Sequence, residues 1–324
     1  MNTITLRWGL LGLALLSVIL CINIGPTETN SFQLYRCLFW ECDDAFSRTL
    51  LWEFRLPRVI IGFLAGSALA IAGAILQNTT RNPLAEPYLL GIVSGAGLGA
   101  VVVTSFAASF LSVPLGAFAG AIIAISAILI IGKMTARMEH LILIGVAISF
   151  LLAAIMQGIL YITDPLASKR ILFWLMGSLA DVKIHATYFI VPVILFTTII
   201  CIGFSRQIDA FLISDEQAKL LGVSVTVFKA FLLVLCALLS AVVVAFCGGI
   251  GFVGLMVPHI VRLWFGHTII PLVLGSGLLG GIFLIWVDAL ARSLLVGQEL
   301  PIGIITSLMG SLFFIIVLFK QSEK

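Results

Sequence analysis

The chain has 324 residues, 61% of them hydrophobic and 10% charged, with a formal net charge of +3. Apolar runs of roughly 20 residues, the length a helix needs to cross hydrocarbon, recur along it, and the longest polar stretches, about 25 residues, are too short for a core of their own. Composition therefore excludes a separate soluble domain, and the small, scattered positive charge excludes nucleic acid as a partner.

The expected fold is an all-α polytopic membrane protein, one transmembrane domain over 1–324, embedded in a lipid bilayer. Spans are predicted near 7–25, 58–79, 88–107, 112–133, 140–162, 185–204, 227–247, 271–295 and 302–319, and a short helix over 257–266 makes about ten. The first span follows Arg7 but lacks a small-x-small cleavage site, so it is expected to stay as an uncleaved helix. An even count places both termini in the cytoplasm, with Lys320 and Lys324 inside as the positive-inside rule prefers. The outer side then carries an unusual share of cations.

In the predicted outer loop, 26–57, Cys37 and Cys42 stand close enough for a disulfide, which that compartment allows. The other four cysteines read as small packed hydrophobes. "WEFRLPRVIIG" puts Arg55 and Arg58 at the outer entrance to the second span, and Arg292 sits at the outer end of another. Interfacial anchoring explains each alone, whereas the three together would suit an acidic partner surface.

"RNPLAEPYLLG", 81–91, falls on the inner side, where Pro83 and Pro87 exclude a regular helix. It reads as an ordinary turn or as a rigid constriction at the cytoplasmic mouth. Glycines in "GIVSGAGLGA", "GGIGFVG" and "GSGLLGG" recur three or four apart, the spacing of closely packed helices, and Cys247 to Gly254 is a candidate helix break.

The predicted inner loop 205–226 holds a short charged helix in "SDEQAKLLGVSV". Ser214 and Gln217 have capping-box spacing, Asp215 and Glu216 suit the positive end of a helix dipole, and Gly222 stops the helix. Ala218, Leu221 and Val225 fall on one side, an apolar ridge for something other than lipid. Further on, His259 and Arg262 share a face, and Asp288 is the best candidate acid for a proton relay with them. An Asp288–Arg292 ion pair at i,i+4 is the simpler account. "GKM" at 132–134 lacks the rest of a phosphate-binding loop, so any ATP is expected to be handled by another chain.

The stretches "RLPR", "GAILQ", "NPLAEPYLLG", "GAGLGA", "AKLLGV", "GFVGLMVPHIVR", "DALAR" and "ELPIGIITSLMG", in order between residues 55 and 310, resemble the FecCD family. These are the BtuC-like permease subunits of ABC importers for iron-siderophores, haem and cobalamin. The resemblance implies a BtuC-like type II importer fold in a bacterial inner membrane, with two permease subunits (a homo- or heterodimer), two ATPase subunits and a substrate-binding protein. It implies no catalytic residue, metal or cofactor in this chain, with ATP and Mg used by the ATPase. By similarity Asn82, Pro83 and Leu84 lie at the cytoplasmic gate. The segment Ser214, Asp215, Glu216, Gln217, Ala218, Leu221 and Gly222 looks like the family's coupling helix, and Arg55, Arg58 and Arg292 face acids of the binding protein. "FGHTIIP" departs from the basic connection often found there, with His267 its sole titratable group. The alternative function, an ion- or proton-coupled secondary transporter, would need intramembrane acids along a pathway.

Overall fold

The computed structural model describes residues 3–25, 34, 36–38, 42, 44–107, 112–132, 138–295 and 298–322. The helices are α1 (Thr3–Asn23), α2 (Ala45–Thr80), α3 (Ile92–Val102, continued by a π turn over Val103–Ala107) and α4 (Val113–Gly132). They continue with α5 (Met138–Ile162), α6 (Pro165–Leu175), α7 (Thr187–Gly203), α8 (Ser205–Ile213) and α9 (Asp215–Leu220). The last four are α10 (Val225–Cys247), α11 (Val253–Phe265), α12 (Ile269–Ser293) and α13 (Ile302–Ser322). Among the described residues seven helices are long and apolar enough to cross a membrane, and Trp8–Asn23, Ile92–Phe106 and Val253–Phe265 are shorter apolar ones.

Three boundaries differ from expectation. The second span begins at Ala45 rather than 58, because a π-helical stretch, Leu50–Arg55, carries the helix through what had read as outer loop. The expected 257–266 helix starts at Val253: Pro258 lies inside it rather than opening it. The segment 205–226, expected as an inner loop with one short helix, contains α8 as well as α9, and α8 buries Ile208, Ala210 and Phe211.

Lipid supplies no hydrophobic drive between helices, so close backbone contact does much of the packing. A side chain at Gly66 of α2 would strike the Gly280 carbonyl of α12, and one at Gly280 would strike that of Gly66. The Ser67 hydroxyl donates across this seam to the Gly277 carbonyl at 2.7 Å. Gly95 and Gly99 of α3 meet Gly120 and Gly116 of α4 in the same way. The glycine stripes are therefore helix seams.

The expected break after Cys247 is present over 248–252, with Gly248 and Phe252 at positive φ (70° and 67°). Its exposed backbone groups find partners inside the protein, the condition for irregular chain at membrane depth. Ser178 N donates to Cys247 O at 2.9 Å, and Ile250 N donates to the Tyr88 hydroxyl at 2.9 Å. The start of α13 joins the same knot through Ile302 N to Gly177 O (3.0 Å) and Gly303 N to Met176 O (3.1 Å).

Candidate functional site: two polar ends and a groove

At one end of the bundle the turn after α2 meets α8 and α9. Asn82, Pro83 and Leu84 lie together in this turn, which closes through Leu84 N donating to Asn82 Oδ1 (2.9 Å) and Ala85 N to Asn82 O (3.1 Å). Gln77 braces it, its amide donating to Ala85 O (3.3 Å) and to Gly254 O (3.0 Å) at the start of α11. Arg262 fixes that glutamine, donating to Gln77 Oε1 at 2.5 Å and to Asn78 Oδ1 at 3.0 Å. Arg262 is thus engaged with amides, while His259 packs edge-on against Phe313, so the two do not form a relay with Asp288.

Glu86, in the same turn, accepts a hydrogen bond from Phe252 N and so holds the N-terminus of α11. Burial pushes its carboxyl up from 4.5 to about 7, against the lowering effect of that bond. A raised folded pKa favours the protonated fold, so this contribution is complete below the ordinary pKa and is lost as pH rises through about 7. At 1.36 kcal/mol per pH unit the loss is at most about 3 kcal/mol. Glu86→Gln should flatten this part of the pH dependence between about 4.5 and 7, as read by thermal unfolding in detergent; a slope unchanged from wild type would assign it to another group.

In α9 the Ser214 hydroxyl accepts from Gln217 N (3.0 Å), and Gly222 ends the helix at φ +77°. The ridge is arranged differently from the sequence reading. Ala218 is buried against Phe211, with Val225 packed on the same cluster, so that face turns inward. The outward apolar side chains are Leu221, 52% exposed, and Leu220, 86% exposed, which spacing had not singled out. Asp215, still 42% exposed, pairs with Lys229 at 2.9 Å and with Arg81. Asp209 of α8 accepts from Ile269 N at 2.7 Å, tying α8 to the start of α12; His267 contributes its carbonyl to Asn78 at 3.2 Å.

At the opposite end Arg55, Arg58 and Arg292 converge, but they are not the free surface cations that spacing suggested. They are 4%, 11% and 3% exposed. Arg58 Nε donates to both Asp288 oxygens (3.0 and 3.1 Å), and its Nη1 reaches Glu299 at 2.8 Å. The expected Asp288–Arg292 pair is present at 3.0 Å, and Arg292 also donates to Ile24 O at 2.6 Å. Arg55 donates to Ile22 O (3.2 Å) and Asn23 O (3.1 Å). The reason is electrostatic: a buried Asp288 needs compensation, and carbonyls at the end of α1 need donors. Glu299, the second carboxylate on Arg58, is 32% exposed.

Cys37 and Cys42 are joined, with Cα atoms 4.3 Å apart. Alkylation of membranes prepared without reductant should label neither; labelling of both would remove the bond.

An open groove of about 450 Å³ lies beside the helix break, lined by Leu175, Met176, Gly249 and the Ile304, Ser307, Leu308 and Ser311 face of α13. Sequence reading did not find it. Two serines four apart in a largely apolar helix were the available signal.

Long apolar helices, a helix break over 248–252 sealed by internal partners and a helical knob at one end define an all-helical membrane transport subunit. The chain belongs to the FecCD transport family, whose model matches residues 13–320. It is 34% identical over 318 residues to the hemin transport system permease protein HmuU of Yersinia pestis, covering 96% of this chain and 95% of that one. It is 37% identical over 275 residues to the cobalamin import system permease protein BtuC of Halobacterium salinarum, covering 84% and 74%. Among solved structures, a metal-chelate type ABC transporter in an inward-facing conformation superposes with a TM-score of 0.85 at 28% identity, over 98% of this chain and 99% of that one. The chain is thus a permease subunit of the ABC transporter type.

Proposed function

We propose that this chain, paired with a second permease subunit, forms the membrane pathway of an ATP-driven importer for a metal chelate. An iron-siderophore is the first substrate class, with haem and cobalamin next. Two separate ATPase subunits bind and hydrolyse ATP with Mg on the cytoplasmic side, a binding protein delivers the chelate from outside, and both termini face the cytoplasm of a bacterial inner membrane. The observation that carries this reading is α9, a capped knob whose exposed Leu220 and Leu221 lie at the end of the bundle shared with the Asn82–Leu84 turn. Leu220 and Leu221 seat in the ATPase, and Asn82, Pro83 and Leu84 form the cytoplasmic gate. The Ser307–Ser311 groove lines the pathway. At the outer corner an acid of the binding protein engages the cluster of Arg55, Arg58 and Arg292, competing with the partly exposed Glu299 for Arg58.

Proteoliposomes holding the permease, its ATPase and its binding protein should accumulate a ferric siderophore, haem or cobalamin when ATP is enclosed, without an ion gradient. Uptake that ignores ATP and follows a proton gradient would establish the secondary-transporter alternative instead.

A further inference from the structure

Arg81 is the C-cap of α2 and sits in the left-handed region at φ +53°, where glycine or asparagine is the residue of lower strain. A side chain kept in such a backbone position invites a reason beyond helix termination. Its guanidinium supplies one. Nε donates to the carbonyl of Phe211 in α8 at 2.6 Å, and a terminal nitrogen donates to Asp215 at the start of α9. One planar fork therefore grips both sides of the α8–α9 junction, a geometry that a lysine could not supply.

The junction is held from two other sides. Lys229 of α10 reaches both oxygens of Asp215 at 2.9 Å and lies over the Phe211 ring, 5.4 Å from its centroid. Asp209 is held by Ile269 N of α12. The next residues after Arg81 are Asn82, Pro83 and Leu84. Arg81 and Asp215 are partly exposed, 39% and 42%, and such pairs add little to stability, so the contact matters through the geometry it imposes.

We propose that Arg81 is a positioning residue that pins α8–α9 to the Asn82–Leu84 turn, so that the knob and the turn move as one piece. The inference rests on α9 being the ATPase contact. Arg81→Gly is the informative variant because its backbone preference suits φ +53°, which separates loss of the pin from loss of the cap. Complexes recovered through the ATPase subunit should contain the variant, yet move at least tenfold less substrate per ATP hydrolysed. Spin labels at Leu84→Cys and Ile213→Cys should give, with Arg81 in place, one narrow distance unchanged by a non-hydrolysable ATP analogue, and a broadened one in Arg81→Gly. Wild-type stoichiometry in Arg81→Gly, failure of that variant to co-purify with the ATPase, or a nucleotide-dependent distance with Arg81 present would each overturn the pin. Undiminished ATPase recovery by Leu220→Asp/Leu221→Asp would instead overturn the reading of α9, whatever Arg81 does.

Discussion

Asp288→Ala is expected to lower the stability of the permease by about 3–5 kcal/mol, the range for removing one partner of a buried ion pair. Asp288 is 1% exposed and neutralises two guanidiniums at once, from Arg58 and Arg292. Without it both cations remain in a nearly closed corner, and Arg58 keeps only its partly exposed pairing with Glu299 among the described residues. Asp288→Asn preserves volume and should still lose most of this, since an amide cannot balance the charge. Thermal unfolding in detergent and the yield of folded protein check it. A variant as stable as wild type would mean that water or lipid headgroups already neutralise the arginines.

Leu220→Asp with Leu221→Asp should abolish recovery of the ATPase subunit while leaving the permease in the membrane. Both side chains face outward, so the change costs the isolated chain little. In a docked complex each new carboxylate would be buried without a partner, several kcal/mol apiece. The single change Ala218→Asp makes the contrast, because Ala218 is fully buried against Phe211 and its replacement should damage the α8–α9 unit itself. Normal ATPase recovery by the double variant would move the contact elsewhere.

Local rules were sufficient for much of this molecule. The cap of Ser214 on Gln217, the stop at Gly222, the break after Cys247 and the glycine seams depend on neighbours a few residues away or on a simple repeat. Orientation was harder to read. Which face of α9 is outward depends on Phe211 belonging to α8, and α8 went unseen because "SRQIDAFLI" is too short and too polar to stand out among long apolar runs. Similarly, Arg58 looked free because its partner Asp288 lies 230 positions away. The i,i+4 rule found Arg292 for the same aspartate and had no means of finding the second cation.

α2 runs unbroken from Ala45 to Thr80, 36 residues and about 54 Å at 1.5 Å per residue, well beyond a hydrocarbon core of about 30 Å. Its first half carries Arg58, its last turns carry Gln77 and Asn78, and Arg81 caps it, so one strut enters the contact networks at both ends of the bundle. Backbone contact with α11 and α12 at Gly73 and Gly66 leaves it little freedom to bend in between. Events at the two ends then share one mechanical element, and linkage makes their influence mutual: whatever binding at one end does to affinity at the other, binding there must do in return, by the same factor.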